Sequence, residues 1–510
     1  MCVLVEDELI FKEYKCDYKG HLVITENPFV YESLIREHIK TINMSSIIPA
    51  KEVEKKSYIS SHLAHLWVKI LNQFSEEEFR SGIQIGNALN TRIYSLLSTG
   101  FYRYEQLRKI KEGFRKTIIP AFNIQESQKQ LLSVYRNRLL TQIAELPELR
   151  GSFHVEILKD VKETDEKPYT VITKKRLAYL KNYLLGFCAE PTFIPTHCIK
   201  PFIKKAKVCE NKTNRNNRLN IKIIEDGPIV TMLLLPLLLK GANIRYVSYE
   251  EMLKRLPIRK RDLKLLKNSL VASLEDLKKK DDVEQYKDLF ELLAERMTNY
   301  LINYLLPVAD LFLEKSMQER NRNEKADRSI IFMGTRDPVS SILSQIYSNS
   351  GTPTIAFQEG TSCMLRLYKA LAPLGYITEG HAFVSRAPHE EFYFKKVSKN
   401  FLKPFYTLGT KEIQSPPLLK IGRSIGRKVW EIPLHKETVI YFPSRYRGSV
   451  FFPYYNLLDL NYWEYQKRLI LNVFGEIQKD VFIKLHKKGM FSTPDARKYP
   501  SCSRRFNSSI

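Results

Sequence analysis

Cysteine is scarce in this sequence, and the seven cysteines present are widely scattered, at positions 2, 16, 188, 198, 209, 363 and 502. Their number is odd, no two form a C-x-x-C pair, and none has the Cys/His spacing of a zinc site. This pattern argues against both a disulfide framework and a structural zinc site. We therefore expect a chain that folds in a reducing compartment.

Long apolar runs are also missing. The longest, Ile229–Leu239, contains a proline and falls well short of the roughly 18 residues that span a bilayer. The N-terminal stretch MCVLVEDELIFKEYKCDYKG carries acidic residues where a secretory signal has a basic start and an unbroken apolar segment. These absences predict a cytoplasmic protein, with peripheral contact at the inner face of the membrane as its closest approach to lipid.

Acidic residues are outnumbered, with 56 Asp and Glu against 81 Lys and Arg, which leaves a formal net charge of +25. Such a field attracts nucleic acid, anionic lipid or negatively charged substrates. The sequence has no aromatic RNP motif, no zinc-finger spacing and no low-complexity basic arm, so nucleic acid is the least favoured of the three. The basic stretch Lys254–Lys267 fits either a solvated helix face or a surface that docks on a membrane.

The length of 510 residues predicts two or three domains, because single cores seldom grow past about 300 residues. Residues from about 56 to 146 place apolar side chains at helical intervals, which predicts a mainly helical N-terminal region over 1–200. A polar stretch at 199–219 has no periodicity, which indicates a linker.

After that linker the period changes to short β-branched runs separated by helical segments. The runs NIKII, NIRYVS, SIIFM and TIAF predict parallel strands of a Rossmann-like, acceptor-side domain over 215–415. The runs TVIYF and DVFIKLH predict a second Rossmann-like domain over 430–510, which would bind a nucleotide donor. Only 24 residues follow His486, so we expect this last domain to be incomplete or truncated. The predicted fold class is α/β, with two parallel-sheet domains facing a cleft.

Ligands in such sheets bind outside the carboxyl ends of the strands, so polar residues at strand ends are the candidate site residues. The candidates on the acceptor side are Glu359 and His381, with Glu225 and Asp226 as the alternative base. The candidates on the donor side are Ser444, Arg445, Lys484 and His486. A carboxylate that removes the proton of an acceptor hydroxyl, opposite cations that neutralise a leaving phosphate, would support transfer from a nucleotide-linked donor without a metal or other cofactor.

Two short motifs resemble those of GT-B-fold transferases of bacterial surface and capsular polysaccharide assembly. This group includes the bacterial sialyltransferases and the CDP-glycerol phosphotransferases. Gln358-Glu359-Gly360 resembles their acidic-Gly motif, which implies Glu359 as the base. The stretch KLHK resembles their K-x-H-P element, which implies that His486 contacts the donor phosphate. Glu225-Asp226-Gly227 is a closer literal match to the first motif, so both positions remain open.

Three functions therefore compete. The leading one is a metal-independent transferase that moves a sugar or related group from a nucleotide-activated donor to a cell-surface polysaccharide or lipid-linked acceptor. The second is a noncatalytic scaffold of a membrane glycan-assembly machine. The third, a basic nucleic-acid-binding protein, rests on charge alone.

Overall fold

The computed structural model describes residues 2–6, 8–14, 18–79, 82–124, 131–132, 138–161, 220–223, 237, 242–246, 261–277, 284–321, 329–333, 338–357, 382–385, 405–407, 438–441, 464–465, 468–474, 480–483 and 504–506. Three β-sheets and a large helical layer are built from these residues.

The first sheet is entirely parallel and has five strands in the order β3-β2-β1-β4-β5. The strands are β1 Cys2–Val5, β2 Leu22–Thr25, β3 Thr41–Asn43, β4 Thr117–Ile124 and β5 Phe153–Val161. Sequence analysis predicted only a mainly helical region here and missed this sheet. Strands β1 and β2 are short apolar runs that the fold buries almost completely, so they lack the alternation that identifies a half-exposed strand. Strand β4 contains Pro120, a residue type that is rare in strands with neighbours on both sides.

Helices join and cover this sheet. They are α1 Glu8–Glu13, α2 Pro28–Arg36, α3 Ala50–Phe79, α4 Ile85–Gly113 and α5 Leu139–Ala144. The helical periodicity of residues 56–113 is confirmed by α3 and α4, whereas the predicted helical stretch to residue 146 is interrupted by β4. Helix α4 is enclosed by other elements, and 21 of its 29 residues are buried.

The second sheet has six parallel strands in the order β11-β10-β9-β8-β6-β7. The strands are β6 Asn220–Ile223, β7 Asn243–Tyr246, β8 Ser329–Met333, β9 Thr354–Phe357, β10 Ala382–Ser385 and β11 Phe405–Thr407. The four strand segments predicted from β-branched runs, β6 to β9, are confirmed. The predicted helical content between β7 and β8 is confirmed by α6 Lys264–Ala272, α7 Lys287–Tyr300, a π-helical turn Leu301–Leu305 and α8 Leu306–Asn321.

Helix α9, Pro338–Asn349, connects β8 to β9 as predicted and packs against both. The third sheet contains β12 Thr438–Tyr441, β13 Asp480–Ile483 and β14 Arg504–Phe506. Strands β12 and β13 are parallel, and β14 pairs antiparallel to β13. Strand β14 lies within the last ten residues of the sequence, where no strand was predicted.

A large hydrophobic core runs through helices α3 to α9. It joins residues of the first sheet, such as Leu4, to Trp67 of α3, Phe101 of α4, Phe290 of α7 and Leu343 of α9. The protein is therefore an α/β protein with a five-stranded and a six-stranded parallel sheet, an arrangement compatible with Rossmann-like domains. Among the described residues, none of the helices has both the length and the apolar character needed to cross a bilayer.

Candidate functional site

The carboxyl edge of the first sheet is the place where a doubly wound fold would bind a ligand. Strand order reverses at β1, whose neighbours are β2 and β4, and ligands occupy the crevice at such a switch point. Glu6 directly follows β1, Glu26 follows β2, and Met44 follows β3. This edge therefore carries two carboxylates.

A single side chain from α4 fills the space between them. One terminal nitrogen of Arg103, Nη1, lies 2.9 Å from Glu26 Oε2, and the other, Nη2, lies 3.9 Å from Glu6 Oε1. Gln106, one helical turn on, donates from Nε2 to Glu26 Oε1 at 2.6 Å and to the Met44 carbonyl oxygen at 3.2 Å. The guanidinium also donates to Gln106 Oε1 at 2.9 Å.

One guanidinium and two carboxylates set the electrostatics of this cluster. Burial lowers the pKa of Arg103, but the nearby carboxylates of Glu26 and Glu6 outweigh it and the net shift is upward. Burial, and then the charge of Glu26, hold the pKa of Tyr102 well above its ordinary value, so its hydroxyl stays protonated and donates to Glu26 at 3.3 Å. Arg103 and Gln106 occupy this crevice, and the single guanidinium charge offsets one of the two carboxylate charges. These contacts tie α4 to the ends of β1, β2 and β3 at the switch point.

A second buried polar cluster lies further along α4. Glu105 accepts from Tyr286, pairs with Lys56 Nζ at 3.1 Å and pairs with Arg108 Nη2 at 3.0 Å. Burial raises the pKa of Glu105, but the hydrogen bond from Tyr286 and the charges of Lys56 and Arg108 outweigh it, so the net shift is downward. Tyr104 adds a contact with Glu148 and a 2.8 Å hydrogen bond to the carbonyl oxygen of Gln285.

This cluster ties three parts of the chain together. Lys56 belongs to α3, Glu105 to α4, and Tyr286 to the turn that leads into α7. A small cavity adjoins it, lined by Ile48, Val53, Lys56, Ser57, Ser98, Tyr102 and Glu105. Burial and the hydrogen bond to Glu105 raise the pKa of Tyr286, which therefore acts as a donor at neutral pH. The arrangement stabilises the junction between the N-terminal layer and the later helices.

The second sheet has its switch point at β6, whose neighbours are β7 and β8. Ile223, the last residue of β6, is level with Phe332 of β8, and Met333 is level with Ala356 of β9. Glu225 and Asp226 follow β6 in sequence, and Glu359 follows β9, so both candidate bases come after strands that end at the same edge. The carboxylates themselves lie outside the described residues.

His381 also lies outside the described residues. It directly precedes Ala382, the first residue of β10, and β10 runs parallel to β9. Ala382 therefore lies at the amino edge of the sheet. Glu225 and Glu359 follow strands that end at the opposite, carboxyl edge. This topology does not support a shared role for His381 and Glu359.

The donor-side candidates follow two neighbouring strands of the third sheet. Tyr441, the last residue of β12, is level with Ile483, the last residue of β13. Ser444 and Arg445 come three and four residues after Tyr441, and Lys484 and His486 come one and three residues after Ile483. All four lie outside the described residues.

Helix α9 links the second sheet to α4. The backbone N–H of Gln84 donates to Gln345 Oε1 at 2.6 Å, and Gln345 Nε2 donates to the Gln84 carbonyl oxygen at 3.3 Å. On the sheet side, Lys222 Nζ of β6 lies 5.2 Å from the ring centroid of Tyr347. Helix α9 begins five residues after β8 ends. These contacts therefore join the first layer to the helix that follows β8, a neighbour of β6 in the second sheet.

Sequence reasoning did not single out Arg103, Glu105 or Gln106. A signal for them was present in the segment SLLSTGFYRYEQLRKI, where charged and amide side chains interrupt an apolar helical pattern. Because polar groups in a buried helix need hydrogen-bond partners inside the protein, these side chains could have been predicted to form a buried polar cluster. In the described parts of the chain, no group of three or more His, Cys, Asp or Glu side chains could hold a metal ion. Comparison with known proteins found no matching family model, curated protein or solved structure.

Proposed function

We propose that the protein is a transferase that moves a sugar or related group from a nucleotide-activated donor to a surface polysaccharide or lipid-linked acceptor. The pairing of β12 with β13 supports this most strongly, because Tyr441 and Ile483 are in register as neighbouring strand ends. Parallel neighbours lie about 4.8 Å apart, so loops leaving both ends can converge on one phosphate group. Ser444, Arg445, Lys484 and His486 are the groups that would meet there.

The second sheet supplies the acceptor side of the proposal. Strand β8 separates β6 from β9, so the strands that precede the two candidate bases are about 10 Å apart. One carboxylate would act as general base, and the other would bind the acceptor. Glu359 is retained on its resemblance to the acidic-Gly motif. The switch point beside β6 gives Glu225 and Asp226 independent support.

In this proposal the second and third sheets form a GT-B-like pair around a cleft, and catalysis needs neither a metal nor another cofactor. The enzyme would act in the cytoplasm at the inner face of the membrane, where lipid-linked acceptors are found. His381 has no role in it, because β10 begins directly after this residue.

Transfer from a panel of CMP-, CDP- and UDP-linked donors tests the proposal. We expect turnover with at least one donor, and a loss of about 10² to 10⁴ in rate when the true base is changed by Glu359→Gln, Glu225→Gln or Asp226→Asn. Donor affinity should stay nearly constant in that variant, because an amide keeps the shape of the carboxylate. Absence of transfer with every donor, together with absence of nucleotide binding, would reject the enzyme.

A noncatalytic scaffold is the second candidate function. The first sheet supports this candidate, because Arg103 and Gln106 occupy the crevice at its switch point and most of α4 is buried against other elements. Membrane co-purification that survives Glu359→Gln, with no transfer in either form, would support the scaffold.

A further inference from the structure

Polar side chains line the seam between α3 and α4, the two longest of the described helices. Near one end of the seam, Asn72 Nδ2 donates to Asn87 Oδ1 at 3.0 Å. Further along it, the hydroxyl oxygens of Ser57 and Tyr94 lie 2.9 Å apart. The partners fall in number along α3 as they rise along α4, so the two helices run antiparallel. A buried polar group between two such helices needs a hydrogen-bond partner.

Asn90 of α4 lies between these two pairs and is only 1% exposed. One helical turn before it, a Cβ at Gly86 would lie 2.1 Å from the carbonyl oxygen of Val68 in α3. Residues four apart share a face of a helix, so Asn90 is also on the α3 side of α4. Among the residues that the structure describes, neither Oδ1 nor Nδ2 of Asn90 has a hydrogen-bond partner.

The part of α3 opposite Asn90 presents small residues. It lies between Ser57 and Val68, the positions that approach α4 on either side of Asn90. Ser60 and Ala64 of this stretch are fully buried. The Ser60 hydroxyl donates to a backbone carbonyl oxygen of its own helix at 2.8 Å, so the hydroxyl oxygen can still accept a hydrogen bond. This part of the seam therefore combines an unpaired amide with small side chains and an available acceptor.

We propose that Asn90 binds an ordered water molecule in the seam between α3 and α4. A buried amide without partners is costly, and water removes that cost by accepting from Nδ2 or donating to Oδ1. The Ser60 hydroxyl oxygen provides an acceptor on the facing helix, which gives the water the two or more polar partners that a buried water needs. The water would bridge the helices midway between the Asn72–Asn87 and Ser57–Tyr94 pairs. The inference is independent of whether the protein transfers sugars.

A crystal structure of the full chain that resolves bound water tests the site. We expect a water oxygen about 2.7 to 3.2 Å from Oδ1 or Nδ2 of Asn90. The proposal is overturned if both atoms pair with protein groups, or if neither atom contacts a water. The wild-type protein is sufficient for this test.

Oxygen-17 relaxation dispersion of the solvent provides a second test, because it counts long-lived internal waters. Asn90→Leu removes the amide at similar side-chain volume and should lower the count by about one. Asn268→Leu makes the same change at an exposed position of α6 and should leave the count unchanged. An unchanged count in Asn90→Leu, or an equal loss in the control, would contradict the proposal. Circular dichroism checks that both variants fold, and if Asn90→Leu does not, the wild-type crystal structure decides.

Discussion

At the scale of single residues, the feature that most defines this protein is the set of charged side chains within the buried helix α4. Glu105 has a side-chain exposure of 3%, and its partners Lys56 and Arg108 have 19% and 30%. A buried charge is tolerated when it is paired and hydrogen-bonded, and removing one partner leaves the rest unpaired. The pairing of the buried Glu105 with Lys56 and Arg108 therefore contributes more to stability than ion pairs at the surface do.

Glu105→Gln should destabilise the protein by about 2 to 4 kcal/mol, because Lys56 and Arg108 lose their shared counter-charge in a partly buried site. Urea denaturation measures this change. Glu112→Gln is the control on the same helix: it removes an exposed partner of Arg108 and Lys109 and should cost less than about 0.5 kcal/mol. Equal losses in the two variants would show that the cluster contributes no more than a surface ion pair.

His65 gives a prediction about pH. Burial, and then the charges of His62 and Lys69, lower its pKa from the ordinary value of 6.5. The unfolded chain therefore takes up a proton in a pH range where folded His65 does not, so this component of stability is complete above pH 6.5 and is lost as pH falls through the folded pKa. Between about pH 7.5 and about pH 5.5, His65→Gln should lose less stability than the wild type. Identical pH dependence in both proteins would contradict the placement of His65.

At the scale of elements, the start of α4 shows why some boundaries cannot be predicted locally. Gln84 makes no side-chain cap to the helix it precedes. The first N–H groups are instead satisfied from elsewhere: Gln84 donates to Gln345, Ile85 to Ser75 Oγ at 3.4 Å, and Asn87 to Asn72 Oδ1 at 3.2 Å. These partners come from α3 and α9, so the cap is invisible without the tertiary structure.

The crossing of α3 and α4 depends on a glycine. A Cβ at Gly86 would lie 2.1 Å from the carbonyl oxygen of Val68, a backbone atom that can move only with its helix. Gly86→Ala should therefore destabilise the protein by about 2 to 3 kcal/mol, measured by thermal or urea unfolding. Gly113→Ala, at the other end of α4, meets no atom within 4 Å and should be neutral or slightly stabilising. A neutral Gly86→Ala would show that the helices do not approach this closely.

Strands were predictable where turns bounded β-branched runs and were missed where the runs were short and wholly buried. SIIFM and TVIYF fall in the first class, and β8 and β12 confirm them. CVLV and LVIT fall in the second, because burial on both faces removes the alternation on which a strand prediction depends. The ion pairs of Arg103 could not be predicted for a different reason. Its partners Glu6 and Glu26 follow β1 and β2, and both lie more than 70 residues before it in the sequence.

At the scale of the whole molecule, the sheets differ in the side chains that lie at their strand ends. In the first sheet, Arg103 occupies the switch point between Glu6 and Glu26. A core shared by α3, α4, α7 and α9 joins this layer to the helices that accompany the second sheet. The proposed chemistry is therefore assigned to the second and third sheets, where charged residues follow the ends of β6, β9, β12 and β13. The strand register supplies a physical reason for grouping these strand ends.

Calorimetric titration of the full chain with CMP, CDP and UDP tests this assignment most directly, using His486→Ala and Glu6→Gln as a matched pair. We predict that the wild type binds at least one of these nucleotides, that His486→Ala weakens binding by roughly tenfold to a hundredfold through loss of a charge-assisted hydrogen bond, and that Glu6→Gln leaves affinity unchanged. Absence of nucleotide binding, or a loss of affinity in Glu6→Gln but not in His486→Ala, would contradict the account.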